Sequence, residues 1–311
     1  MKKTIIMLAA LMSTAIAFGQ APAGVPMNVN IYEETSNIPA ASAEMLSTRM
    51  KAAIANSGMG ATDDVTQFYL TAKASLLDKH VITGAPTKYF NTSEITFFVV
   101  DAFAQKTFTS FTLEVKGVGN SEQQAYTGGL REFRANNPKL LTFLKDSNKK
   151  ILGYYDSQYP TIIKQADALA VVKKYEEALF ILSSVPQACK GYQEVITVAT
   201  GIYQKYLDME SYKALAKART IWNAGQNMEA AAEAGEYIAL IDPDSKYYSE
   251  AIALNKEIKE RVKSDVDYYR KLESRDASWS HEEKTKAIEA WKQVGVAYGN
   301  NQKSQYYKSI W

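Results

Sequence analysis

The chain has little of several residue types on which protein chemistry often depends. Its 311 residues include one cysteine, Cys189, and two histidines, His80 and His281. A single cysteine forms no internal disulfide, and so few nitrogen and sulfur ligands argue against a zinc centre. Glycine and proline number only 16 and 8, which excludes collagen-like and low-complexity chains. With 46% hydrophobic residues, the composition is that of a globular protein.

An excess of charge is also missing. Lysine and arginine number 36 and aspartate and glutamate 34, and two of the lysines, Lys2 and Lys3, lie in a segment that we expect to be removed. The remaining chain is then neutral. Non-specific binding to nucleic acid or to an acidic membrane surface needs a basic excess, so we predict neither kind of partner.

The first 19 residues have the pattern of an export signal. Two lysines precede an apolar run from Ile5 to Phe18, and Ala17 and Gly19 are the small residues expected before a cleavage site. We predict a signal peptide over residues 1–19, cleavage near Gly19/Gln20 and a periplasmic location. No cysteine follows the site, so no lipid anchor is expected, and no later stretch predicts a transmembrane segment.

Residues 20–136 alternate between strand and helix patterns. A short strand is predicted at 28–32, a helix at 42–57 ended by Gly58, and a strand at 67–76 with alternating apolar and polar residues. Two β-rich runs at 94–103 and 106–116 predict a hairpin, and Phe108 is out of phase, which indicates a bulge. The strand at 67–76 has one apolar and one polar face, which is typical of a mostly antiparallel sheet that is covered on one side and exposed to solvent on the other.

A glycine pair at Gly117 and Gly119 lies between a strand and a helix, where nucleotide-binding loops occur. The third glycine position of that motif is Glu122, whose charge would repel a pyrophosphate. We therefore interpret the glycines as structural, with Ser121 and Gln124 forming a capping box for a helix that ends near Arg134.

Together these features resemble the α/β domain of two groups of bacterial envelope proteins: the lipoproteins that activate penicillin-binding proteins, and curli-secretion proteins. The resemblance lies in the element order, the helix with Leu46 and Met50, and the turn from Gly117 through Ser121 into a helix with Ala125. It implies an envelope role. The chain departs from these lipoproteins in lacking the anchor cysteine.

From residue 137 to 275 the periodicity is helical, beginning at Asn137-Pro138. The pattern resembles a divergent tetratricopeptide repeat, and the matching positions are Ile162, Ala166, Leu169, Tyr175 and Ala178, then Leu215, Trp222, Met228, Ala231 and Pro243. Arg219 and Pro186 depart from that pattern.

We predict a three-helix unit used twice, with helices at 160–173 and 175–185 and with third helices at 190–207 and 245–266. Small residues would let the helices approach and large ones would fill the gaps: Ala166, Ala178, Ala214, Ala218, Ala231 and Ala234; Tyr175, Phe180, Tyr203, Trp222 and Tyr237. Such arrays commonly bind a peptide or protein.

Three possible sites fail on their own residue patterns. His281-Glu282 lacks the second histidine of a zinc motif, because Thr285 holds that position. The calcium-like Asp242-Pro243-Asp244 is followed by Lys246, so we predict a turn. Cys189 has no nearby histidine and is predicted to be a buried structural residue. Residues 276–311 are predicted to form a helix and a docked aromatic tail, Gln305–Trp311.

The predicted fold class is α+β: an N-terminal α/β sandwich with a mostly antiparallel sheet, then an all-α array like the tetratricopeptide repeat. We predict a non-enzymatic interaction or assembly module of the bacterial envelope with an envelope protein partner. No catalytic residue, cofactor or metal site is assigned. The alternative is a binding protein for a glycan or another small ligand, using exposed members of the 20 tyrosines and 4 tryptophans.

Overall fold

The structure, a computed structural model, describes residues 24–31, 37–62 and 66–273. The predicted signal peptide, its cleavage site, His281 and the tail 276–311 lie outside the described residues. The chain divides into two compact units. One comprises residues up to Ala168 together with Glu177–Thr197, and the other comprises Leu169–Glu176 and residues from Val198 onward. The domain boundaries predicted from the sequence stay predictions.

The first unit is built on a four-stranded sheet in the order β1-β2-β3-β4. Its strands are β1 (Met27–Val29), β2 (Phe68–Ile82), β3 (Lys88–Asp101) and β4 (Lys106–Gly119). β1 pairs with β2 in parallel, and the other two pairings are antiparallel. The predicted bulge at Phe108 is confirmed, since Val99 is opposite Thr109 while Val100 is opposite Thr107.

Helix α1 (Ala40–Asn56) agrees with the helix predicted at 42–57. It buries Leu46, Met50 and Ile54 completely, and they form the core of this unit together with sheet residues such as Phe97. Gly58 ends the helix at φ +86°, a left-handed conformation that glycine adopts without a Cβ penalty.

Five further helices follow α2 (Glu122–Arg131), which ends three residues before the predicted Arg134. They are α3 (Pro138–Val171), α4 (Tyr175–Ser183), α5 (Tyr192–Gly225), α6 (Met228–Ile238) and α7 (Tyr248–Glu273). Asn137 caps α3 as predicted, because its Oδ1 accepts from Lys139 N at 3.0 Å and from Leu140 N at 3.3 Å.

Two predicted helix boundaries are wrong. Pro160 does not begin a helix but lies inside α3. The helix continues past it because the buried face continues, with Tyr155 before the proline and Ile163 after it. The helix predicted at 190–207 does not end there, since α5 runs unbroken to Gly225. No glycine or proline occurs between Gly201 and Gly225 to stop it.

The second unit has its own core, which α6, α7 and the end of α5 supply. Its largest member is Trp222, 2% exposed, whose Nε1 donates to Glu257 Oε1 at 2.9 Å. The alanines predicted to permit close helix packing are all buried in the two units. Phe180, predicted to fill a gap, is instead 45% exposed. Arg219 pairs with Glu250 at 2.7 Å on the surface, while its neighbour Ala218 is the buried small residue.

None of the helices in the described part of the chain contains a stretch long and apolar enough to cross a bilayer.

Candidate functional site

The glycine loop before α2 packs against the helix. A Cβ on Gly117 would lie 1.8 Å from Ala125 O and 2.4 Å from Gly129 N, so β4 and α2 meet backbone to backbone. Ser121 caps the helix, its side chain accepting from Gln124 N at 3.2 Å, and the Gln124 side chain accepts from Asn120 N. The structural interpretation of this loop is confirmed, because protein backbone fills the space beside the glycine.

Cys189 is 5% exposed, as predicted for a structural cysteine. Burial, with the charge of Asp156 and a hydrogen bond to it, raises the pKa of the Cys189 thiol to about 12. Asp156 also accepts from Lys190 N at 2.8 Å, which fixes the turn before α5. Nucleophilic chemistry needs the thiolate, so this environment opposes it.

We therefore expect Cys189 to resist alkylation in the folded protein. With iodoacetamide at pH 8, labelling should be at least about a hundredfold slower than that of an exposed thiol. The reagent reaches the buried sulfur poorly, and little of the thiol is in the reactive thiolate form. Mass spectrometry before and after urea denaturation measures this. The control is Lys190→Cys, which places a thiol on the exposed neighbouring residue. Equal labelling rates at the two positions would contradict the burial.

A buried carboxylate at Asp101 is the centre of a second polar cluster. Its Oδ2 accepts from Tyr155 Oη at 2.5 Å and from Gln67 Nε2 at 2.9 Å. Its Oδ1 accepts from the backbone N–H groups of Phe103 and Ala104, each at 2.9 Å. Burial and the neighbouring Asp101 raise the pKa of Tyr155. These bonds tie the β3–β4 turn, α3 and the residue before β2 to the end of β3, so the cluster is structural.

The calcium-like segment is also a turn, as predicted. Asp242 Oδ1 accepts from Asp244 N at 2.9 Å, and Asp208 Oδ1 accepts from Lys246 N at 3.1 Å. Burial by itself would raise the pKa of the Asp208 carboxyl group. Hydrogen bonds from Lys246, Ser245 and Gln204 outweigh this effect, so the pKa lies below its usual value. Across the described ranges, no group of three or more His, Cys, Asp or Glu side chains is placed to hold a metal ion.

The feature that best fits a binding role is the far end of β2, residues Leu76–Ile82, which we name the distal edge. β1 pairs with β2 only at Phe68–Leu70. Within the part of the chain that the structure describes, no strand covers β2 beyond that point. Four aliphatic side chains of the distal edge are well exposed: Leu76 at 46%, Leu77 at 53%, Val81 at 45% and Ile82 at 58%. An uncovered strand of this kind is a template for pairing with another chain.

The direction of the backbone groups follows from the register. The backbone oxygen of Leu70 accepts a hydrogen bond from the backbone N–H of Asn30, the residue after β1. The backbone N–H and C=O groups of Leu70 therefore face β1 and point away from β3. Residues opposite each other in an antiparallel pair alternate between facing and turning away from the partner strand. Leu70 is opposite Val99 on β3. Every second residue of β3, counted from Val99, has its backbone groups turned away from β2, and this series includes Asn91 and Tyr89, which are opposite Lys79 and Val81. Lys79 and Val81 therefore present their N–H and C=O groups to the open side.

The distal edge also has ordered charges. His80 Nε2 lies 2.7 Å from Asp78 Oδ2, and Lys79 Nζ pairs with Glu122 at the start of α2. Leu77 has no opposite residue on β3, since the register shifts between Leu76 and Asp78. Charges and bulges both discourage indiscriminate edge pairing.

Exposed aromatic side chains, on which the glycan alternative depends, lie on several different elements. Among the described residues they are Phe90, Phe103, Phe180, Tyr212, Tyr268 and Tyr269. Phe103 and Phe180 form one pair with ring centroids 5.2 Å apart. A shallow surface along α7 is lined, as far as the described residues go, by six residues of that helix, one of which is aromatic, Tyr268.

The sequence pattern did not indicate the distal edge. The predicted strand ends at residue 76, and beyond it Asp78, Lys79 and His80 interrupt the apolar alternation. The signal that could have extended the strand is the β-branched pair Val81-Ile82, followed by a turn at Gly84.

Comparisons with known proteins give partial fold matches only. No protein-family model matches the sequence, and no curated protein does. A minor lipoprotein from Acinetobacter baumannii matches with 16% identity and a TM-score of 0.24, covering 40% of this chain and 87% of that one. A PelC dodecamer from Paraburkholderia phytofirmans matches with 12% identity and a TM-score of 0.23, covering 42% and 89%. The distal edge, described from this chain's own residues, is therefore the basis for a functional assignment.

Proposed function

We propose that the chain is a non-enzymatic, exported interaction or assembly module of the bacterial cell envelope. Its binding surface is the distal edge, to which a second polypeptide adds a strand. The observation that carries the proposal is a strand end that no other strand covers among the described residues, with four well-exposed aliphatic side chains, Leu76, Leu77, Val81 and Ile82. Strand addition takes its affinity from main-chain hydrogen bonds and its specificity from alternate side chains.

The location rests on the sequence alone. The lysines, the apolar run and the small residues of segment 1–19 support export.

The helical part supports the same role. We infer that α3–α7 form a divergent array like the tetratricopeptide repeat, in which short helices α4 and α6 alternate with long ones. In the second unit, Ala218, Ala231 and Ala234 are fully buried beside Trp222, as close helix packing requires. This array supports a binding or scaffolding role in addition to strand pairing at the distal edge.

Site-specific photocrosslinking in cells tests the proposal. A benzophenone amino acid placed at Val81 is expected to give one dominant adduct with a polypeptide, because this side chain lies beside the open backbone. The matched control is the same group at Lys149, an exposed residue of α3. The proposal fails if the two positions give the same adducts, or if Val81 gives none.

A further inference from the structure

We propose that the strand added at the distal edge is the distal edge of a second copy of this chain, paired antiparallel about a two-fold axis at Lys79. The inference rests on the proposed function and names its partner. It follows from the residue types, the charges and the backbone direction of one short segment, Leu77–Val81.

Symmetry limits the possible registers. A two-fold axis perpendicular to an antiparallel pair of identical strands passes between one residue and its own copy. The residue on the axis can then bond to its copy in a hydrogen-bonded pair if its backbone groups face outward. Lys79 meets this condition. It lies opposite Asn91, which belongs to the same alternating series of β3 residues as Val99, so the backbone groups of Lys79 face away from β3.

With Lys79 on the axis, the neighbouring residues are complementary. Leu77 lies opposite Val81 of the second copy, and Val81 opposite Leu77, so two exposed aliphatic pairs are covered. Asp78 lies opposite His80 of the second copy, and His80 opposite Asp78, which places an acid beside a hydrogen-bond donor twice. Cross-strand pairs of both kinds stabilise a sheet.

The lysine at the axis does not oppose this arrangement. Each Lys79 already contacts Glu122 of its own chain, so the axis would bring together two positive and two negative charges. Centring the axis on Asp78 would instead place two Asp78 carboxylates opposite each other.

Disulfide trapping is the first test of this register. Residues in a hydrogen-bonded antiparallel pair have Cα atoms about 5.5 Å apart, within the range that a disulfide spans. Lys79→Cys in the purified full chain should therefore form a covalent dimer under mild oxidation, at least about five times more than Lys73→Cys. Lys73 is an exposed residue of the same strand and lies six residues from the axis. The native Cys189 is buried and does not compete.

A charge swap provides the second test. His80→Glu places a carboxylate opposite Asp78 of the second copy and should weaken the dimer at least about tenfold in sedimentation equilibrium. Adding Asp78→Lys restores opposite charges across the interface and should restore the association. Both side chains are more than half exposed, so neither change disturbs the core. Because the paired segment is short, association of the unmodified chain should depend on concentration.

The outcomes separate this inference from the proposed function. Equal trapping at residues 79 and 73, or a chain that stays monomeric at every concentration, overturns self-pairing. If the Val81 photoadduct in cells then has the mass of a different protein, strand addition at the distal edge stands while the second copy is excluded. An adduct of twice the chain mass, with trapping at 79 and rescue by the charge swap, supports both.

Discussion

Gly117→Ala should lower the free energy of unfolding by about 3 kcal/mol or more, because the new methyl group meets backbone, which cannot rotate aside. Its Cβ would lie 1.8 Å from Ala125 O and 2.4 Å from Gly129 N. Relief requires α2 to move away from β4, which opens the core beneath Ala125 and Leu130, both fully buried. Urea titration followed by circular dichroism measures the loss, and faster hydrogen exchange at the β4 amides would assign it to this contact.

The matched control is Gly153→Ala in α3, where an added Cβ has no neighbouring atom within 4 Å. Alanine favours the helix over glycine, so this variant should gain about 0.5–1 kcal/mol. The two variants make the same chemical change with opposite expected signs. A Gly117→Ala protein as stable as the unmodified chain would show that α2 does not approach β4 so closely.

Asp101→Ala is expected to have the next largest effect, a loss of about 3 kcal/mol, since buried donors left without an acceptor cost about 1–3 kcal/mol each. The carboxylate is 1% exposed and accepts from Tyr155, Gln67 and two backbone N–H groups of the β3–β4 turn. Water can reach the partly exposed turn and offset the loss there. Gln67 Nε2 still donates to Tyr155 Oη at 2.7 Å, so the hydroxyl of Tyr155, 2% exposed, accounts for most of the effect.

Asp101→Asn separates charge from hydrogen bonding. Its carbonyl can still accept from the turn, so the loss should be about half that of the alanine variant. Asp146→Ala is the surface control. Its ion pair with Lys149 is 3.5 Å long and exposed, so removing it should change the free energy of unfolding by less than about 0.5 kcal/mol. If Asp101→Ala were equally mild, the cluster would not stabilise the turn.

Local sequence patterns predicted the features that depend on few neighbours. Ser121 caps α2, Asn137 caps α3, Gly58 ends α1 and Phe108 forms a bulge, each as its own sequence context indicated. Caps and turns involve residues within four positions of each other, so their physics is contained in a short segment.

Helix length was less predictable. The sequence predicted that one helix begins at Pro160 and that another ends at Leu207. In the structure, α3 continues through Pro160 and α5 continues past Leu207. Their continuity comes from the buried faces on either side, Tyr155 with Ile163 and Ile202 with Leu215. Burial against other elements outweighs the local cost of a proline or of a polar stretch.

The sequence by itself determined the order of the strands and of α1 and α2, the cap of α2, the structural role of the glycine loop and the burial of Cys189, because each depends on local geometry or on a missing partner residue. Only the tertiary structure decided that β2 continues to Ile82 and that, within the described ranges, no strand pairs with its distal edge on the side away from β3. An alternating strand has the same pattern whether or not its edge is paired, since pairing depends on where a distant segment, here Met27–Val29, stops.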